Sequence, residues 1–255
     1  IELNGVAVAA NQLAFEAGRV WIAAPEKITA LIAQKQRPTT QRPQTLAAAL
    51  ALYAPRLAAY QNQSYADRFT QLIQTLHQTE QKLRPGSEQL SLEAAHSLFK
   101  LMAYKDEYEV ARLYTQPQFM EQLHQQFEAG FELNFHMAPP LISKMGSSGR
   151  PLKRQLGNWM LKIMPWLSQA KHLRGTPLDV FGYQAERKLE RQLRDQFLAD
   201  LTYLSQHLQA EQFELALRYV QIPQTIRGFG PVKHQAIERA RREQQHLLQQ
   251  GLTLS

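Results

Sequence analysis

Residues Tyr183–Leu208 read YQAERKLERQLRDQFLADLTYLSQHL. Leu189, Leu193, Phe197, Leu201, Leu204 and Leu208 recur every three or four residues, the period of a helix that buries one stripe. Glu190 and Arg194 stand four residues apart on the outside, a spacing suited to a surface ion pair. The same period recurs along most of the chain. Tyr65, Phe69, Leu72, Ile73, Leu76 and Leu83 follow it, and alanine-rich sequence runs from Leu46 to Pro55. RPGSE (Arg84–Glu88) breaks the chain, and Ser91 is placed to cap the helix that contains LEAAHSLFKLM. Thr115 is placed to cap another, with Pro117 in its first turn, Phe119, Leu123 and Phe127 on one face and Gly130 beyond its end. IRGFGPVK (Ile226–Lys233) reads as a glycine turn into a polar last helix. No internal repeat is visible.

One segment departs from this pattern. FELNFHMA (Phe131–Ala138) alternates with the period of a half-buried strand before Pro139 and Pro140 end it. RYVQIP (Arg218–Pro223) is the segment available as its partner. The expected fold is mainly α, a helical domain with one small two-stranded β element.

Upstream, Asn4–Gly18 reads as an alanine-rich helix stopped by Gly18, and Pro25 opens a second that runs through Ala33. QKQRPTTQRPQT (Gln34–Thr45) has two prolines and no apolar residue, the composition of a linker. The expected organisation is a helical tail over residues 1–33, a linker over 34–45 and a helical domain over 46–255.

The 255 residues include no cysteine, which excludes disulfides, thiolate zinc sites, cysteine nucleophiles and iron–sulfur ligation by this chain. The longest apolar stretch, Leu46–Leu52, is far short of a membrane span, and no secretory leader is visible. A cytoplasmic protein without a membrane partner fits these features. The opening on Ile1 reads as a piece of a longer polypeptide.

Net charge is +7 and unevenly spread: residues 1–149 carry 13 basic and 13 acidic side chains, residues 150–255 carry 16 and 9. Between Glu132 and Asp179 there is no acidic residue, while Lys144, Arg150, Lys153, Arg154, Lys162, Lys171 and Arg174 fall in that gap. Such a run attracts an anionic partner, or pairs with acids from elsewhere in the fold.

Local chemistry leaves several readings open. The eight histidines include no pair at three- or four-residue spacing and no HExxH, so neither a metal centre nor catalytic residues are expected. His136, in the alternating segment, reads as a hydrogen-bonded core-edge histidine. GSSGRPLKR (Gly146–Arg154) combines glycines with Arg150, Lys153 and Arg154, yet it lacks the GK[ST] ending of a phosphate loop. GNWMLKIMPWL (Gly157–Leu167) sets Trp159 and Trp166 among basic residues, an arrangement that suits burial between helices better than base stacking. In RGTPLDVFGY (Arg174–Tyr183), Asp179 is placed to accept hydrogen bonds from Arg174. In YKDEYEVARLY (Tyr104–Tyr114), Asp106, Glu107 and Glu109 suit the start of a helix, and Arg112 can lie along the Tyr108 ring.

Taken in order over residues 99–234, YKDEYEVARLY, FELNFHMAPPL, GRPLKRQLGNWM, LRGTPLDVFGY with AERKLER, and IPQTIRGFGPVK resemble the C-terminal domain of the long, fused indolepyruvate ferredoxin oxidoreductases. The opening, IELNGVAVAANQLAFEAGR, resembles the last helix of the preceding gamma-type domain. Thr29–Leu83 is the least distinctive part. The resemblance implies a parent enzyme that oxidatively decarboxylates an aryl pyruvate on thiamine diphosphate and magnesium. Electrons then pass through iron–sulfur clusters to ferredoxin, and the acyl group passes to coenzyme A. Nothing in this chain resembles the thiamine-binding GDG motif, so the resemblance implies catalysis on other domains and an inactive chain on its own. Three roles follow as expectations. The domain docks onto its neighbours or an acidic ferredoxin through the Lys144–Arg174 region, including Arg150, Lys153 and Arg154. Alternatively, Lys105, Arg112, Arg174, Arg227 and Lys233 contribute anion contacts to a coenzyme A or 2-oxoacid site. The third and least favoured is an independent nucleic-acid-binding module.

Overall fold

The computed structural model describes residues 7–35, 42–127, 132–137 and 154–254. The chain divides into two compact units, Ile1–Arg42 and Pro43–Ser255. In the first, α1 (Val8–Ala23) is followed by α2 (Pro25–Lys35). Gly18 does not end α1, which continues until the Ala24 amide donates to the Val20 carbonyl at 2.8 Å. No residue of α1 is buried, and Leu13, Phe15, Trp21 and Ile22 all face solvent.

The second unit runs α3 (Leu46–Tyr60), α4 (Gln63–Leu83), α5 (Gln89–Met102), α6 (Glu107–Tyr114), α7 (Pro117–Gln126), β1 (Phe135–Met137), β2 (Arg154–Leu156), α8 (Met160–Gln169), α9 (Ala185–His207), α10 (Phe213–Gln221) and α11 (Pro231–Gln249). The fold is mainly α, with eleven α-helices and one small strand pair among the described residues. None of those helices is long and apolar enough to cross a membrane.

The main core is built on α5, which buries Leu90, Ala94, Ala95, Leu98, Leu101 and Met102 and packs against α3, α4, α9 and α10. α4 supplies Ala66, Phe69, Ile73 and Leu76 at helical spacing, with Asn62 Oδ1 accepting from the Tyr65 amide at 2.9 Å to start it. α9 supplies Phe197, Leu198, Leu201 and Leu204. Each large side chain moved out of water contributes about 1.5–3 kcal/mol.

α3 does not stop at Pro55. The ring removes one amide donor and costs about 3 kcal/mol. Continuing the helix buries Leu57 and Tyr60, which are 0% and 1% exposed, and their burial offsets that cost. Ser91 is not a helix cap either: α5 begins at Gln89, and its first amides are received by a buried carboxylate on α4. Glu80 accepts from the Leu90 and Ser91 amides, each at 2.9 Å, and from both the Ser87 and Ser91 hydroxyls. Thr115 closes α6, and Gln116 precedes Pro117 at the start of α7.

The strand partner also differs from expectation. β1 pairs antiparallel with β2 in the register Phe135↔Leu156, His136↔Gln155 and Met137↔Arg154. RYVQIP lies in α10 and the 3-10 turn Ile222–Thr225. Phe213, Ala216, Leu217 and Val220 bury one helical face there, and that longer period overrides the short alternation. A second, smaller core joins Ala111, Phe135 and Met164 to Leu133, Leu156, Met160, Leu161 and Leu167, packing the strand pair and α8 against α6.

Candidate functional site

The clearest concave site is formed by the loop that leads into α11. Ile226 is buried, after which Gly228 and Gly230 adopt φ of +98° and +54°. Side-chain-bearing residues avoid such angles. A Cβ on Gly228 would also meet Val232 Cγ1 at 2.7 Å. Between the two glycines the Phe229 ring stands 81% exposed. This loop, the end of α5, residues 103–105 and the first half of α9 enclose a cleft of about 360 Å³. Leu101, Leu189, Leu193 and Ile226 form its apolar lining.

Five cations also line it: Lys100, Lys105, Arg187, Arg227 and Lys233. Two are paired, Arg187 with Glu107 at 3.2 Å and Lys233 with Glu190. Lys100 has no carboxylate partner among the described residues; its Nζ donates to the Pro223 and Gln224 carbonyls at 3.0 and 2.9 Å. Burial lowers the Lys100 ammonium to a pKa of about 8, helped by Arg227 and Lys233 and opposed by Glu190. Lys105 is exposed and Arg227 makes only a 3.4 Å contact to the Gln224 carbonyl. Once the two pairs are set aside, Lys100, Lys105 and Arg227 face Glu186 alone among the lining acids.

The structure thus gathers three of the eight cations singled out in the sequence, Lys105, Arg227 and Lys233. Of the others, Arg112 and Arg174 lie elsewhere. Arg112 is held by Glu109 through two bonds of 2.7 Å instead of lying along the Tyr108 ring. Arg150 and Lys153 lie outside the described residues, and of Arg154 only the backbone, in β2, is described.

Arg174 turns inward, and its side chain is 2% exposed. Its guanidinium donates to Asp106 at 2.6 and 2.9 Å and to the Tyr60 carbonyl at 2.7 Å, and its Cζ lies 3.7 Å from the Tyr60 ring centroid. Asp106 simultaneously caps α6 by accepting from the Glu109 amide at 2.8 Å. Asp179 is therefore not the acceptor for Arg174. It receives the Gly175 and Gly182 amides, both at 2.9 Å, and the Tyr108 hydroxyl at 3.1 Å. Burial and the neighbouring Asp179 raise the Tyr108 hydroxyl's pKa well above the ordinary phenol value. Gly182 must lack a side chain, because a Cβ there would approach Asp179 Oδ2 to 2.4 Å. This network braces the α6–α8 module against the end of α3 and leaves Arg174 no route to a ligand.

Glu190 and Arg194 do not pair with each other: Glu190 holds Lys233, and Arg194 holds the adjacent Asp195 at 2.8 Å. Lys171 is spent on the Ala59 carbonyl at 2.6 Å. Lys162 is exposed on α8, beside an apolar stripe of Trp159, Ile163 and Trp166, which are 52%, 46% and 76% exposed. Burial of these tryptophans between helices does not occur within the described chain.

Lys100, Arg187 and Phe229 were not legible as site residues. Lys100 meets its carbonyl partners across 123 and 124 residues of sequence, and only the GFG triplet around Phe229 carried a local signal. No group of three or more histidine or acidic side chains among the described residues could hold a metal ion, and there is no thiol to bind a cluster.

No curated protein and no solved structure matches the chain. A family model does match, over residues 46–246, which takes in the α5–α9–α11 cleft, the Arg174 network and α8. The chain belongs to that family, described as a family of unknown function (DUF6537).

Proposed function

We propose that the second unit is a non-catalytic docking domain of a thiamine-dependent aryl 2-oxoacid:ferredoxin oxidoreductase. The parent assignment rests on the five resembling segments in order over residues 99–234. The docking role rests on one observation, the aromatic stripe Trp159–Ile163–Trp166 presented to solvent by a helix whose other face is already packed. Exposed tryptophans with a basic neighbour such as Lys162 are the composition of an interface centre. Met164 on the opposite face is 1% exposed, so α8 is anchored and the stripe is held in place. The acid-free sequence around it favours an acidic partner surface, either a neighbouring domain of the same polypeptide or ferredoxin. Redox chemistry in this reading belongs entirely to other domains.

The gene's full reading frame tests the parent assignment. Thiamine-binding and cysteine-cluster sequence on the same polypeptide is the expected finding, and a frame without either overturns it. Hydrogen exchange tests the docking role. Amides of Met160–Gln169 should exchange more slowly in the full-length enzyme, with ferredoxin where needed, than in this chain alone; equal rates in both states would remove the docking role. Charge reversal at Lys153 and Arg154 separates the two partners, because a raised KM for ferredoxin at low salt identifies the electron carrier.

A further inference from the structure

We propose that the cleft between α5, α9 and the Ile226–Gly230 loop binds a phosphate-bearing nucleotide, with its phosphates on Lys100, Lys105 and Arg227 and its base stacked on Phe229. Four observations converge on this reading. First, three cations from two separate chain segments line one cleft without carboxylate partners among the described residues, an arrangement that is unfavourable until an anion arrives. Second, Lys100 spends two of its three N–H groups on backbone carbonyls, which fixes the ammonium in place and leaves one donor. Third, the cleft meets the first turn of the 19-residue α11, whose N-cap Gly230 has no side chain to occupy the leading amides. The positive end of that helix dipole adds to the same field. Fourth, Phe229 is displayed between two glycines whose left-handed angles hold it out of the core, the presentation that aromatic stacking platforms use.

The size is consistent with this ligand. A cleft of about 360 Å³ falls at the small end of small-molecule sites, about 300–1,000 Å³. It accommodates a diphosphate and part of a sugar, with the base at the mouth. The single carboxylate of a 2-oxoacid would neutralise one of the three cations and would leave Phe229 without a role. The proposal does not depend on the docking role, because the cleft's lining residues are distinct from the α8 stripe.

Calorimetric titration of the chain with ADP, adenosine and inorganic pyrophosphate at pH 7 tests it. ADP should bind at least tenfold more tightly than either of the others. Arg227→Gln, at an exposed position, should weaken ADP and pyrophosphate alike by about tenfold, the scale of one charge-assisted contact. Phe229→Ala should weaken ADP about tenfold and leave pyrophosphate unchanged. ADP affinity should also fall as pH rises through about 8, where Lys100 loses its proton in a setting that includes Arg227, Lys233, Glu190 and His234. In Lys100→Met that pH dependence should disappear. Equal binding of pyrophosphate and ADP, with no effect of Phe229→Ala, would reduce the site to a plain anion site and overturn the nucleotide assignment. Absence of ADP binding in the unsubstituted chain would overturn the site itself.

Discussion

Replacing Arg174 with methionine isolates the interaction that joins the two cores. The guanidinium makes two bonds to Asp106 and one to the Tyr60 carbonyl and lies over the Tyr60 ring, all in a site closed to water. Arg174→Met keeps much of the apolar stem but leaves the Asp106 carboxylate buried without its counter-charge. Removing one partner of a buried pair costs about 3–5 kcal/mol, most of it the uncompensated charge left behind. Asp106→Asn should cost less, about 1.5–3 kcal/mol, because an amide oxygen still accepts the Glu109 amide and preserves the α6 cap. In the double variant no buried charge is stranded, so its loss should be smaller than the sum by about 1–3 kcal/mol. Arg174→Lys should recover less than half of the loss, since one ammonium cannot reproduce the planar fork. Urea denaturation at pH 7 followed by far-ultraviolet circular dichroism gives all four values. A loss below about 1 kcal/mol for Arg174→Met, or strict additivity in the cycle, would refute the reasoning.

Two further substitutions probe other buried polar positions. Gly182→Ala brings a methyl to 2.4 Å from Asp179 Oδ2 and 2.9 Å from Arg191 Nη1. It should cost about 1–3 kcal/mol in the same urea assay, whereas a neutral outcome would mean that the loop moves aside freely. Asp200 is 1% exposed, and burial raises its carboxyl pKa despite bonds from the Tyr219 hydroxyl and the Gln196 amide. A raised folded-state pKa contributes stability at acid pH that is lost as pH rises through that value. Asp200→Asn removes this titration, so its stability relative to the unsubstituted chain should be higher at neutral than at acid pH. Parallel stability profiles across that range would contradict the assignment.

Helical period was legible wherever a long stripe met the main core. Phe197, Leu201, Leu204 and Leu208 are buried as their spacing requires, whereas Leu189 and Leu193, from the same stripe, line the cleft. Period reports which face turns inward but not what it meets. A local breaker rule does not apply at Pro55, because burial of Leu57 and Tyr60 carries α3 past it. β2 could not be recognised in RQL, three residues whose only structural signal is their register with β1. The sequence offers Arg174 both as an anion contact and as a partner for Asp179, five residues away, and the structure supports neither. The actual acceptor, Asp106, lies 68 positions upstream. Of the cleft cations, Lys105, Arg227 and Lys233 were individually visible because they flank glycines or open a charged segment. Their convergence depends on Lys100 reaching the turn after α10, a contact that no local pattern encodes.

The Glu80 carboxylate has a consequence for the order in which the chain assembles. It sits in the last turn of one helix and supplies the starting acceptors for the next, across the Arg84–Glu88 turn. Neither helix is complete without the other: apart, one would carry an unmatched buried acid and the other would begin on bare amides. Two helices so coupled form a short-range hairpin, whose small loop closes at little entropic cost. Because α5 is the element on which the main core is built, the C-terminal helices that dock against this hairpin come from more than 80 residues further along the chain.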